Sequence, residues 1–147
     1  MIDARTTFER CHIRCTKQRA EVYETLSACT CHPTAEQLHR MVCERSPGTS
    51  LATVYNTLEA LTDAGLCRRI ATAGGARYDA DLSHHLHTIT PDGRVMDVPP
   101  EAGQEILSLI PPEAVERIEA KLGVRVRHIE IQLQLEPEEM LAAVGVG

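Results

Sequence analysis

The chain has 147 residues, 43% of them hydrophobic, with no tryptophan, three tyrosines and one phenylalanine, enough apolar material for one modest core or two small ones. No run approaches the roughly 20 apolar residues that span a bilayer, and the opening MIDARTTFERCHIRC lacks the apolar stretch of a secretory signal, so no membrane segment is expected and the chain reads as cytoplasmic. A formal charge of −6 taken whole argues against a nucleic-acid partner, but residues 1–79 hold ten Lys and Arg against nine Asp and Glu, while residues 80–147 hold five against twelve.

The first half reads as helices followed by a hairpin. Residues 17–28 place Ala20, Val22, Tyr23 and Leu26 at near-helical spacing behind a capping Thr16, and His32-Pro33 interrupts the chain. Thr34 and Gln37 form a T-x-x-Q capping box that opens a helix to about Arg45. After Pro47-Gly48, Ser50 can cap a helix whose Leu51, Val54, Leu58 and Leu61 make one buried stripe ending at Gly65. Two short strands follow, near residues 66–71 and 76–80, joined through Gly74-Gly75. Three helices and a glycine-tipped hairpin are the order of a winged helix-turn-helix. The helix at 51–64 would then read DNA, with Thr53, Tyr55, Asn56 and Thr57 on its outer face. Lys17, Arg19, Arg68, Arg69 and Arg77 could fix phosphates. An ordinary solvated surface is the alternative reading of these residues.

The six cysteines, Cys11, Cys15, Cys29, Cys31, Cys43 and Cys67, all lie in this half without a C-x-x-C pair. They read as free thiols, mostly buried as small apolar residues.

A linker near residues 79–83 leads to His84-His85-Leu86-His87, which opens a strand; Pro91-Asp92-Gly93 turns it and residues 94–98 return it. Pro99-Pro100 breaks the strand, Ile106, Leu107 and Ile110 point to a short helix, and Pro112 starts another to about Leu122, closed by Gly123. Residues 124–135 alternate as a strand with a slip in phase at Arg127-His128, read as a bulge. The whole is an α+β chain: a winged helix over 1–79, a hinge at 80–83 and a small α/β domain over 84–147. The edge of its three-stranded sheet would best be covered by a second copy of the chain.

Histidine is the main chemical signal. Residues two apart on a strand share a face, so His85 and His87 can converge on one ion while His84 points away. Asp79 lies just before them and Asp97 on the returning strand. Two imidazoles and two carboxylates suit Fe(II), Mn(II) or Zn(II), with no thiolate to favour Cu(I). A small metal-dependent enzyme using the same cluster is the alternative from another class. It needs a general base and a substrate pocket that nothing in the sequence singles out.

Several ordered motifs resemble the ferric uptake regulator (Fur) superfamily: T-K-Q-R at 16–19, H-P-T-A-E-Q-L at 32–38, S-L-A-T-V-Y-N-T-L-E-A-L-T-D-A-G-L at 50–66, R-Y-D at 77–79, H-H-L-H at 84–87 and G-R-V-M-D-V at 93–98. Weaker similarity continues through V-R-V-R-H-I-E at 124–130. The resemblance implies a homodimeric, metal-dependent repressor that binds a palindromic, AT-rich DNA duplex. It implies a regulatory metal site of His32, Asp79, His85, His87 and Asp97, holding Fe(II) or Mn(II), with Zn(II) also able to bind. A second site in some members would draw on His84, a carboxylate near Glu105 and His128, though Leu86 stands where another acidic ligand can occur. Members usually carry a structural zinc on two CxxC pairs. Here Thr90-Pro91-Asp92-Gly93 occupies the first place and no cysteine follows Cys67, so that four-cysteine structural zinc is expected to be absent. Asn56 and Asp97 resemble the peroxide-sensing (PerR) branch. Loss of both CxxC pairs is similar to the haem- and iron-responsive (Irr) branch, ranked second, although no Cys-Pro haem motif is present. Zinc uptake control ranks third.

Overall fold

A computed structural model describes residues 4–83, 85–127 and 129–136. The chain divides into two compact units, one of Met1–Ser83 with the turn Asp92–Arg94, the other of His84–Pro91 with Val95–Gly147.

In the first unit four helices precede a hairpin: α1 (Ala4–Arg10), α2 (Lys17–Ser27), α3 (Ala35–Arg45) and α4 (Leu51–Asp63), then β1 (Arg68–Thr72) and β2 (Gly75–Asp79). Each of α2, α3 and α4 begins where a hydroxyl can satisfy an orphan amide. Thr16 Oγ1 accepts from the Arg19 amide, Ser50 Oγ from that of Thr53, and Thr34 and Gln37 close the reciprocal capping box. Val22, Leu26, Leu38, Val42, Val54, Leu58 and Leu61 are all but inaccessible and form a single core with Phe8, Tyr23, Cys67 and Tyr78. Each fully buried aliphatic side chain contributes about 1.5–3 kcal/mol relative to leaving it in water. The hairpin pairs antiparallel from Arg68 opposite Asp79 to Thr72 opposite Gly75. Gly75 sits at φ +109°, a turn conformation that side chains rarely adopt.

The structure corrects four expectations for this unit. An additional helix, α1, contributes Ala4 and Phe8 to the core, and the Phe8 ring lies 5.4 Å from that of Tyr23. Leu51 is exposed and does not belong to the buried stripe. The cysteines are not mostly buried: among the free ones only Cys67 is, Cys15 is exposed, and Cys11 and Cys43 are half-buried. Nor are they all free, because Cys29 and Cys31 form a disulfide.

The second unit holds β3 (His87–Ile89), β4 (Val95–Asp97), α5 (Pro100–Ser108), α6 (Pro112–Leu122) and β5 (Gln132–Gln134). The sheet order is β4-β3-β5. His87 pairs antiparallel with Asp97 and parallel with Gln132. Prolines open both helices, where a missing amide costs nothing, and Gly123 ends α6 at φ +66°. The last strand is much shorter than the alternation over 124–135 implied, because only residues 132–134 pair in the ladder. Leu86, Ile89, Val95 and Val98 are buried, whereas α6 has no buried residue at all.

Candidate functional site

In the first unit the chain is steered into an unusual conformation at His32. A residue before proline is pushed away from helical backbone, and His32 takes φ +46°, in the left-handed region that favours glycine. Strand β2 supplies the restraint. The Tyr78 amide donates to the Pro33 carbonyl at 3.0 Å, and Arg77 Nη1 donates to the His32 carbonyl at 3.0 Å and to Gln37 Oε1 at 3.2 Å. The same guanidinium donates from Nε to the Gly93 carbonyl. Two residues along from Arg77, Asp79 ends the strand. Its Oδ1 accepts from the Asp81 amide at 2.8 Å, and its Oδ2 lies 3.8 Å from His32 Nε2. Both side chains are buried, at 3% and 5% exposure, so this imidazole and carboxylate face each other out of bulk water.

In the second unit the antiparallel register sets Asp97 across from His87, and one oxygen, Asp97 Oδ1, lies 3.5 Å from His87 Nε2 and 3.4 Å from His85 Nε2. The two imidazoles meet edge to face with centroids 4.6 Å apart. His85 lies before β3 rather than on it, so its approach to Asp97 comes from the segment entering the strand and not from pleat alternation alone. His87 is 1% exposed and Asp97 is 44% exposed, so the group opens to solvent on its carboxylate side.

His32, Asp79, His85 and His87 each offer a nitrogen or carboxylate oxygen able to ligate an ion. Neutral imidazole with carboxylate, free of thiolate, is the donor set of a borderline or hard divalent ion such as Fe(II), Mn(II) or Zn(II), and the residues present fit such an ion. Of the residues suggested for a second site, Glu105 is exposed on α5, and His84 and His128 lie outside the described residues.

The residues expected to read or hold DNA divide. Tyr55 and Asn56 are exposed on α4, and Arg69 and Lys17 are exposed elsewhere in the same unit. The Tyr55 hydroxyl donates to Glu36 Oε1 at 2.5 Å; that bond holds the Glu36 carboxyl below its ordinary value and raises the Tyr55 hydroxyl above its own. Thr53 helps close the α4 N-terminus, with its hydroxyl 2.8 Å from Ser50 Oγ. Arg19 Nη1 donates to the Arg14 carbonyl at 3.3 Å. One residue is corrected and two have partners within the chain. Thr57 is buried, its hydroxyl donating to the Thr53 carbonyl at 2.7 Å, and cannot reach a base edge. Arg68 donates from Nη2 to the carbonyls of Leu82 and Ser83, and Arg77 donates to His32, Gln37 and Gly93, so both guanidiniums are engaged by the chain's own groups.

Sequence reasoning missed Glu36 as the partner of Tyr55 and the structural use of Arg77, including its bond to Gln37. Partners 40 and 45 residues away leave no local pattern to find. The Cys29–Cys31 pair was visible as C-x-C, a spacing that carries less weight than C-x-x-C as a motif.

The model of the ferric uptake regulator family matches residues 10–133, most of the chain and both units. The chain belongs to the ferric uptake regulator family. Members are metal-responsive, DNA-binding transcription regulators and not enzymes, so the metal-dependent enzyme considered from the sequence is set aside. The chain is 34% identical over 98 residues to the peroxide operon regulator of Bacillus subtilis, a match that covers 65% of this chain and 67% of that one. A solved zinc-bound manganese uptake regulator is 28% identical, with a TM-score of 0.64 over 91% of this chain and 98% of its own. The Pseudomonas aeruginosa ferric uptake regulator with manganese has a TM-score of 0.71 over 93% and 99%; at 24% identity it speaks for the fold alone. Among the described residues no helix is long and apolar enough to cross a membrane.

Proposed function

We propose that this family member is a cytoplasmic, homodimeric repressor whose grip on a palindromic, AT-rich operator depends on Fe(II) or Mn(II) and is released by peroxide. The observation that carries the reading is the pair of incomplete donor groups. His32 with Asp79 in the first unit, and His85 with His87 and Asp97 in the second, are each too few to fill a coordination sphere, and each is preassembled. One ion ligated by all five stabilises only those arrangements of the two units in which both groups reach it. Metal concentration then sets the population able to bind DNA.

Iron in this donor set supplies one-electron chemistry toward peroxide, which Mn(II) and Zn(II) do not readily provide. The imidazole rings of the ligands would be the nearest oxidisable groups, and oxidation of His32 or His85 would weaken ligation from one side of the site. The B. subtilis relative is a peroxide regulator, which supports this over plain uptake control; the manganese uptake neighbour supports the rival.

The test is operator binding and peptide mass spectrometry on Fe(II)-loaded and Mn(II)-loaded protein after brief peroxide exposure. Oxygen gained at His32 or His85 only with iron, together with loss of operator binding, supports the sensor. Unchanged histidines and full binding in the iron form would replace it with a metal-uptake regulator or an Irr-like one.

A further inference from the structure

Seven residues, 28–34, join α2 to α3, and His32 lies among them in its left-handed conformation. Downstream the segment is pinned by hydrogen bonds: the Pro33 carbonyl accepts from Tyr78, the His32 carbonyl accepts from Arg77, and Thr34 caps α3. Upstream the corresponding restraint is covalent and reversible. Cys29 and Cys31 are bonded through sulfur, with Cα atoms 5.5 Å apart, and the Cys31 amide donates to Cys29 Sγ at 3.3 Å. The peptide that leads into His32 starts at Cys31. A cross-link ending at Cys31 therefore orders the chain up to the peptide that carries the left-handed His32. Cys31 is exposed and Cys29 half-buried, so the pair can be reached by small oxidants and reductants. Exposed disulfides are the easily reduced ones, and in a reducing compartment they form transiently, in answer to an oxidant.

We propose that Cys29 and Cys31 are a site of reversible oxidation, a dithiol that hydroperoxides close to a disulfide without any metal, and that the closed pair holds His32 ready to ligate. The second half of this statement rests on the reading of His32 as a ligand; the first half does not. The exposed Cys31 sulfur attacks one oxygen of hydrogen peroxide and the O–O bond breaks. One water leaves, carrying the thiol proton, and Cys31 becomes a sulfenic acid. The Cys29 sulfur then attacks Cys31 sulfur, the S–O bond breaks, and a second water leaves with the Cys29 proton. Two thiols have lost two electrons and one peroxide has become two waters.

The experiment uses the full chain, stripped of metal by chelation and reduced, then exposed to hydrogen peroxide and mapped by alkylation and peptide mass spectrometry. The expected product is a Cys29–Cys31 disulfide with no oxygen on any histidine, reversed by dithiothreitol and lost in Cys29→Ser and Cys31→Ser. Cys29 and Cys31 staying fully alkylatable while Cys11 or Cys15 oxidises would overturn the site. The same reduced and oxidised samples are then titrated with Mn(II), which is inert to the thiols. The oxidised form should bind roughly tenfold more tightly, since a segment already ordered loses less freedom on ligation. Both serine variants should bind alike under either condition. Equal Mn(II) affinity in the two wild-type forms overturns the coupling to His32. If neither form bound Mn(II), the shared metal site itself would fail, and the peptide map would still decide the dithiol.

Discussion

His32 shows how a residue can be strained and useful together. A non-glycine residue held at positive φ costs on the order of 1–3 kcal/mol and persists where its surroundings over-determine it. Arg77 is the principal determinant outside the segment itself, through the His32 carbonyl, and Gln37, already used in the capping box, steadies the guanidinium. Arg77→Ala should lower thermal stability by about 2 kcal/mol through lost charge-assisted hydrogen bonds and weaken Mn(II) binding on the order of tenfold. With metal saturating, the salt dependence of DNA binding should be unchanged. A reduced salt slope would return Arg77 to the phosphate-contacting set. Cys67 gives a second prediction at this scale. Burial pushes its thiol above the ordinary value, with a smaller opposing effect from its Thr62 hydrogen bond. A group whose folded pKa is raised favours the folded state fully below the unfolded pKa, and that contribution disappears as pH rises through the folded one. Cys67 should thus resist alkylation near pH 9 while Cys15 reacts, and stability should fall as pH climbs beyond the ordinary thiol range. Equal rates at both cysteines would refute this.

At the scale of elements, α4 is the helix we propose to read DNA, and α3 holds its exposed Tyr55. Val54, Leu58 and Leu61 bury one face, which leaves Tyr55 and Asn56 on the other, and Glu36 from α3 takes the Tyr55 hydroxyl. Tyr55→Ala should weaken specific operator binding by roughly 1–3 kcal/mol, whereas Arg19→Ala should weaken every sequence alike, as measured by competition against random duplex. The Glu36 contact adds a pH dependence: its lowered carboxyl stays ionised through the neutral range, so the bond should be lost only as pH falls through that lowered value. What the sequence revealed of these elements lay in short-range signals. Thr16, Thr34 with Gln37, and Ser50 cap helices within three residues of themselves, so α2, α3 and α4 were legible to within a residue or two. Helix α1 was not, because seven residues with Ala4 and Phe8 as their only buried positions carry too little periodicity. Strand β5 was over-read, since alternation records which side chains face an apolar layer and not how many backbone groups find a ladder partner. That His32, Asp79, His85 and His87 offer candidate donor atoms was legible from type and resemblance. Their supports, Arg77 above all, were not, because long-range hydrogen bonds leave no periodic trace.

On the scale of the whole molecule, charge and apolar exposure part the two units. The acidic half is unsuited to phosphate. It also leaves Ile118 at 50% exposure, Leu122 at 69%, Val124 at 52% and Ile129 at 38%, on and after a helix with no buried residue. Scattered apolar residues are ordinary on a surface; because these four fall within a dozen residues of one small unit, we propose that they belong to an interaction face. A second copy is the partner that the proposed repressor requires, since a palindromic operator offers two equivalent half-sites. Ile129, Ile131, Leu133 and Leu135 all retain some accessibility, and with α6 they supply apolar area whose burial is worth about 25 cal/mol per Å². No cysteine follows Cys67, so this association has no thiolates in its own half to hold a structural ion, and burial has to sustain it. Strong chelation should consequently strip the regulatory ion and abolish operator binding yet leave the dimer intact in size-exclusion chromatography with light scattering. Leu122→Glu, which puts a charge where the face would be desolvated, should shift the protein toward monomer with or without metal. Clean monomers after chelation of the wild-type chain would show instead that a bound ion holds the two copies together.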